Sequence, residues 1–165
     1  DLERIIALLE IYLYQDTPKK ALELLTREKD AFVRTGNEKP WLFWHVQALA
    51  ASGDIENALQ EIEPIDSPEI QRSLRVSVLR KKARIDGDGQ VLVQCLESCW
   101  QESKSAIYLL ELCQLQASLQ NWTYVADKAE DLVNSVGTLT ALSLAAECAW
   151  QSNRAELCLS LLNDH

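Results

Sequence analysis

Ala51-Ser52-Gly53-Asp54-Ile55-Glu56-Asn57-Ala58 reads as the end of one helix, a tight turn and the start of another. Gly53 suits a helix C-cap, where a left-handed backbone carries no Cβ penalty, and Asp54 suits the N-cap of the helix that follows. Comparable turns occur four more times: Gln15-Asp16-Thr17-Pro18 before Ala21, Asp86-Gly87-Asp88-Gly89 before Leu92, Gln120-Asn121-Trp122 before Val125, and Ser152-Asn153-Arg154 before Leu157. Taken as equivalent, Ala21, Ala58, Leu92, Val125 and Leu157 lie 37, 34, 33 and 32 residues apart. A period near 34 residues fits a stacked pair of helices. The longer first interval is absorbed by the connection Thr35-Gly36-Asn37-Glu38-Lys39-Pro40.

Apolar residues recur around these anchors. Sixteen residues earlier stand Ile5, Leu42, Val76, Leu109 and Ala141, and three further on stand Leu8, His45, Leu79, Leu112 and Leu144. Four residues after the anchors come Leu25, Ile62, Leu96, Ala129 and Leu161. Of these fifteen positions only His45 is not apolar. Helices are therefore expected in pairs over 2–14 and 18–33, 40–51 and 54–64, 68–85 and 89–101, 104–118 and 122–135, and 138–151 and 154–163. Ser67-Pro68 is a strong start signal, and Gly137-Thr138 marks a stop followed by a start.

The chain has 165 residues, 47% of them hydrophobic, with only 5 Gly and 4 Pro. This is enough for one core and rich in helix formers. The expectation is one domain over 1–165, with units at 1–36, 37–66, 67–103, 104–137 and 138–165. A formal charge of -9 argues against nucleic-acid binding, which draws on clustered Lys and Arg. Nothing reads as a leader peptide or a membrane span, so a cytoplasmic location is expected. The chain contains no Met, and its first and last segments are strongly apolar. The first suggests an internal or processed piece of a longer protein; the second suggests a stretch of a longer array, or self-association through those ends.

The pattern resembles the tetratricopeptide repeat family across nearly the whole chain, with the second unit the best match. The resemblance implies an all-α, right-handed superhelical solenoid of about five antiparallel helix pairs, in which the first helix of each pair lines a concave face that binds a peptide or protein. Carried over, the groove positions are Glu10, Leu13 and Tyr14; Phe43 and Gln47; Lys81 and Arg84; Leu110 and Gln114; and Leu142 and Trp150. The carboxylate clamp of some family members is not matched, since its positions hold Ile6, Glu10, Trp44, Leu74 and Val78. The best-supported set for a partner is Tyr14, Phe43, Gln47, Lys81, Arg84, Leu110, Gln114 and Trp150.

One segment is unusual. Arg72, Arg75, Arg80, Lys81, Lys82 and Arg84 place six of the chain's 16 basic residues on one expected helix. Lys81 and Arg84 share a face that Arg80 and Lys82 cannot. Such a stripe suits an acidic partner, because Arg forms paired hydrogen bonds with carboxylates; equally, these bases could pair with acids of neighbouring helices.

No phosphate-binding glycine loop, zinc-protease helix or serine elbow is present, so no catalytic residue and no cofactor are expected. His45 reads as a packed histidine on an apolar helix. Cys95 and Cys99, four residues apart, lack nearby histidines for a metal site, and Cys99 and Cys113 read as small buried hydrophobes. Trp41, Trp44, Trp100 and Trp122 are expected between helices, and Trp150 facing a partner.

Overall fold

The computed structural model describes residues 2–164. Among these residues every regular element is an α-helix: α1 (Leu2–Tyr14), α2 (Pro18–Arg34), α3 (Glu38–Ser52), α4 (Ile55–Ile62), α5 (Pro68–Asp86), α6 (Gln90–Ser103), α7 (Ala106–Ser118), α8 (Trp122–Asp127), α9 (Ala129–Val136), α10 (Leu139–Gln151) and α11 (Ala155–Asp164). No helix among them is long and apolar enough to cross a membrane.

The turns inside the helix pairs repeat one hydrogen-bond pattern. Gly53 is left-handed, its N–H bonds to the Ala50 carbonyl at 3.2 Å, and the Asp54 N–H reaches back to Leu49 at 3.0 Å. Asp16 with Thr17, Gln120 with Asn121, and Asn153 with Arg154 repeat both bonds. This double closure satisfies carbonyls that a helix end otherwise leaves open. Two departures are informative. Gly87 makes a single bond, to Ala83 at 3.0 Å. In the last turn the left-handed residue is Asn153, one position later than the 157 anchor requires, while burial stays with Ala141 and Leu161.

The anchors and the fifteen positions around them are all buried or half-buried. The helix expected over 122–135 is instead two, α8 and α9, parted at Lys128. There the N–H bonds three residues back to Val125 at 3.1 Å, a tighter turn than the α-helix. Val125 and Ala126 before the break, and Ala129, Leu132 and Val133 after it, are buried.

The chain divides into two compact units, the first ending at Asp88 and the second beginning at Gly89. The third expected pair spans that division. In the first unit α3 is apolar on two sides. Ala48 joins Leu9, Ala21, Leu24 and Leu25 of α1 and α2, whereas Val46 and Ala50 join Ala58, Ile62, Leu74 and Val78 of α4 and α5. A helix apolar all round is one buried between others. In the second unit Ala141, Ala145 and Cys148 of α10 meet Leu109, Cys113, Val125, Leu132 and Leu161 in one cluster. The small α10 side chains leave room for four neighbouring helices.

Candidate protein-binding cleft

The first unit contains an open cleft of about 690 Å³ between the start of α3, the α4–α5 connection and the start of α5. Its apolar walls are Leu42, Phe43, Ile65, Ile70 and Leu74, and its rim carries Glu38, Lys39, Asp66 and Glu69. The walls are fixed by local chemistry. Ser67 accepts a bond from the Ile70 N–H at 3.4 Å, and Pro68 starts α5 without wasting a donor. The Gln71 amide donates to the carbonyls of Ile62, at 3.3 Å, and Glu63, at 3.0 Å, tying α5 to the end of α4. Phe43 meets Trp44 edge to face at 5.2 Å and is still 40% exposed. Its ring is thus held in place before anything binds, which lowers the entropy cost of binding.

Of the eight expected partner-binding residues, Phe43 alone lines this cleft. Gln47 lies along the same two helices, where its amide donates to the Ser77 hydroxyl at 3.0 Å, and its carbonyl oxygen is 3.1 Å from the same hydroxyl. The amide therefore joins α3 to α5. Lys81 and Arg84 are exposed near the end of α5, and Tyr14 is 94% exposed at the end of α1, away from the cleft. Leu110, Gln114 and Trp150 belong to the second unit. There Leu110 is half-buried against the core, Gln114 is exposed and Trp150 is 66% exposed.

The remaining bases of α5 divide. Arg75 pairs with Glu63 at 2.9 Å, and Lys82 pairs with Asp86 one turn on. The residues that sequence reasoning missed are Ile65, Asp66 and Ile70. Their signal was an apolar pair flanking the Ser67-Pro68 start, outside the repeat positions.

Two polar clusters lie outside the cleft. His45 stacks on Trp41 at 4.5 Å and its Nδ1 lies 2.8 Å from Glu61, while Trp41 donates to the Leu25 carbonyl at 3.0 Å. This histidine joins α3 to α4. In the second unit the Tyr124 hydroxyl donates to Glu97, and Lys128 lies 3.4 Å from the same carboxylate. Burial raises the Glu97 carboxyl, but Tyr124 and Lys128 outweigh it and hold the group below its ordinary range. Burial first, and then the bond to Glu97, pushes the Tyr124 phenol up.

Burial pushes the Cys113 thiol up to about 12, far from the thiolate a nucleophile needs. Cys148 is also raised, by burial and then by Glu147. No disulfide joins any of the five cysteines, and no group of three metal-ligating side chains occurs among the described residues.

The chain matches no protein-family model, no curated protein and no solved structure.

Proposed function

We propose that this chain is a non-catalytic scaffold that holds a peptide or a segment of another protein. The observation that carries the reading is the cleft beside Phe43. Its volume falls within the range of roughly 300–1,000 Å³ usual for ligand sites, and its walls are apolar with a few polar groups at the edge. No histidine or cysteine lines it, and the Ser67 oxygen accepts the Ile70 N–H as a helix cap. The apolar walls and charged rim favour binding a side chain. The finer architecture, a right-handed solenoid of five helix pairs, belongs to the same proposal. The recurrence of one turn geometry at Asp16, Gly53, Gln120 and Asn153 supports it.

A peptide-display selection against the chain tests the function. Enriched sequences are expected to bind the parent and to lose binding to Phe43→Asp, with the helical circular dichroism of that variant intact. Enrichment of nothing, or binding indifferent to Phe43, removes the cleft as a partner site.

A second reading, self-association, is favoured by exposed apolar residues in the second unit: Leu139 at 84%, Trp150 at 66% and Leu159 at 61%. Sedimentation across a concentration series separates the two. A monomer at every concentration excludes self-association.

A further inference from the structure

The cleft is one end of a longer surface. Helical periodicity places Ile70, Ser73, Ser77, Lys81 and Arg84 on one stripe of α5, at steps of three, four, four and three residues. Ile70 and Ser73 line the cleft. Ser77 is bridged to Gln47 of α3 at 3.0 Å. Lys81 and Arg84 follow, both exposed. At 1.5 Å per residue, Lys81 lies about 16 Å and Arg84 about 21 Å along the helix from Ile70.

The charges at the two ends are opposite. At the cleft, Glu38, Asp66 and Glu69 stand against Lys39. The starts of α3 and α5 offset about half a charge each, which leaves roughly one net negative charge. At the far end Lys81 and Arg84 give two positive charges, which the C-terminus of α5 reduces to roughly one and a half. None of Glu38, Asp66, Glu69, Lys81 and Arg84 has an ion-pair partner among the described residues, in contrast to Arg75 and Lys82 on the same helix. Each end thus keeps a net charge, negative at the cleft and positive at Lys81 and Arg84.

The geometry points to a charge-polarised occupant: an extended segment of a partner protein with an apolar residue and an adjacent Lys or Arg at the cleft, and carboxylates five to six residues away at Lys81 and Arg84. This rests on the partner-binding reading above. An extended chain advances about 3.3 Å per residue, so about five or six residues cover the distance. The apolar side chain enters against Phe43, Ile65 and Ile70. The adjacent cation meets the rim carboxylates and the face of the Phe43 ring, and the distal carboxylates meet the basic end. Between them the neutral Gln47 and Ser77 impose no charge.

The test is fluorescence anisotropy of the full chain with labelled octapeptides. One reads Arg-Leu-Phe-Ser-Ser-Ser-Glu-Glu and its charge-swapped counterpart Glu-Leu-Phe-Ser-Ser-Ser-Arg-Arg; each is also made in reverse order, to allow either chain direction. The expected result is a preference of about tenfold for the first charge order at low ionic strength, shrinking severalfold in high salt as exposed charges are screened. Lys81→Glu with Arg84→Glu removes the preference. Asp66→Asn with Glu69→Gln weakens it while introducing no new charge, and a chain carrying Lys81→Glu, Arg84→Glu, Asp66→Lys and Glu69→Lys prefers the swapped peptide.

Equal or tighter binding of the swapped peptide by the parent overturns the inference, as does an unchanged preference in the Lys81→Glu, Arg84→Glu variant. Loss of binding in Phe43→Asp would then still leave the partner-binding reading standing. If none of the four octapeptides binds but display-selected sequences do, the inference alone fails; if neither binds, both fail. Association of the chain with itself that is abolished by Phe43→Asp makes a second copy the occupant and also overturns the inference.

Discussion

At Gly53 the backbone is left-handed with φ 88°, and a Cβ there would meet nothing within 4 Å. Gly53→Ala therefore costs only the backbone penalty, roughly 1 kcal/mol. A lower urea midpoint with unchanged slope is the expected readout. The equivalent position of a later turn, Gln120, holds the same conformation with φ 63° and is exposed. There the sign reverses, and Gln120→Gly is expected to stabilise by up to about 1 kcal/mol, because relief of strain exceeds the entropy that Gly adds to the unfolded chain. A lowered midpoint for Gln120→Gly would contradict the assignment of that turn.

Tyr124→Phe removes a hydrogen bond to a carboxylate and should cost on the order of 1–2 kcal/mol at neutral pH. Glu97 is held below its ordinary pKa in the folded chain. Its contribution is thus fully present above the unfolded value, near about 4.3, and is lost as pH falls through the lower folded value. The stability difference between parent and Tyr124→Phe is expected to close as the solution is acidified through that window. A gap that persists undiminished at lower pH would show that the carboxylate is not involved.

At the scale of elements, α3 and α5 are joined by apolar contacts of Val46, Ala50, Leu74 and Val78 and by the Gln47–Ser77 pair. A double-mutant cycle with Gln47→Ala and Ser77→Ala should give a coupling of about 0.5–1.5 kcal/mol, the usual net worth of one hydrogen bond. A coupling of zero in denaturant titrations would return Gln47 to the surface, where the repeat pattern had placed it for a partner. The bond to Ser77 was not legible in the sequence, because the periodicity gives the face of a residue but not the side chain opposite it on the next helix. The same limit explains α8 and α9. The apolar pattern over 122–135 is continuous, and the tightened turn at Lys128, which also reaches Glu97 on α6, is a tertiary matter.

For the molecule as a whole, charge is the broadest constraint. With 25 acidic and 16 basic residues, a polyanion is repelled rather than drawn in. Filter binding with single-stranded RNA at physiological salt is expected to show no retention; salt-sensitive retention would identify a basic surface that the composition hides. The bases are also unevenly placed, with only Lys104, Lys128 and Arg154 beyond residue 88. Arg154 pairs with Asp127 at 2.6 Å and Lys128 with Glu97 at 3.4 Å. The exposed basic contacts proposed for a partner, Lys81 and Arg84, therefore lie in the first unit.

The turn from Ala51 to Ala58 by itself determined that one helix ends and another begins here, because the left-handed backbone that Gly53 supplies is a local requirement that travels with the residue. Asp54, expected as the cap of α4, instead accepts a bond from the Asn57 side chain and none from the helix backbone. The anchors spaced from it determined which side chains are buried, because a helical face repeats with the chain. The cleft is different in kind. Phe43, Ile65 and Ile70 come from three elements and converge only when Gln71 bonds back to α4 and Val46 packs against Leu74. Periodicity had already put Lys81 and Arg84 on one face. That this face continues into an apolar cleft of opposite charge was decided by the tertiary structure, since it depends on how the ends of α3, α4 and α5 meet.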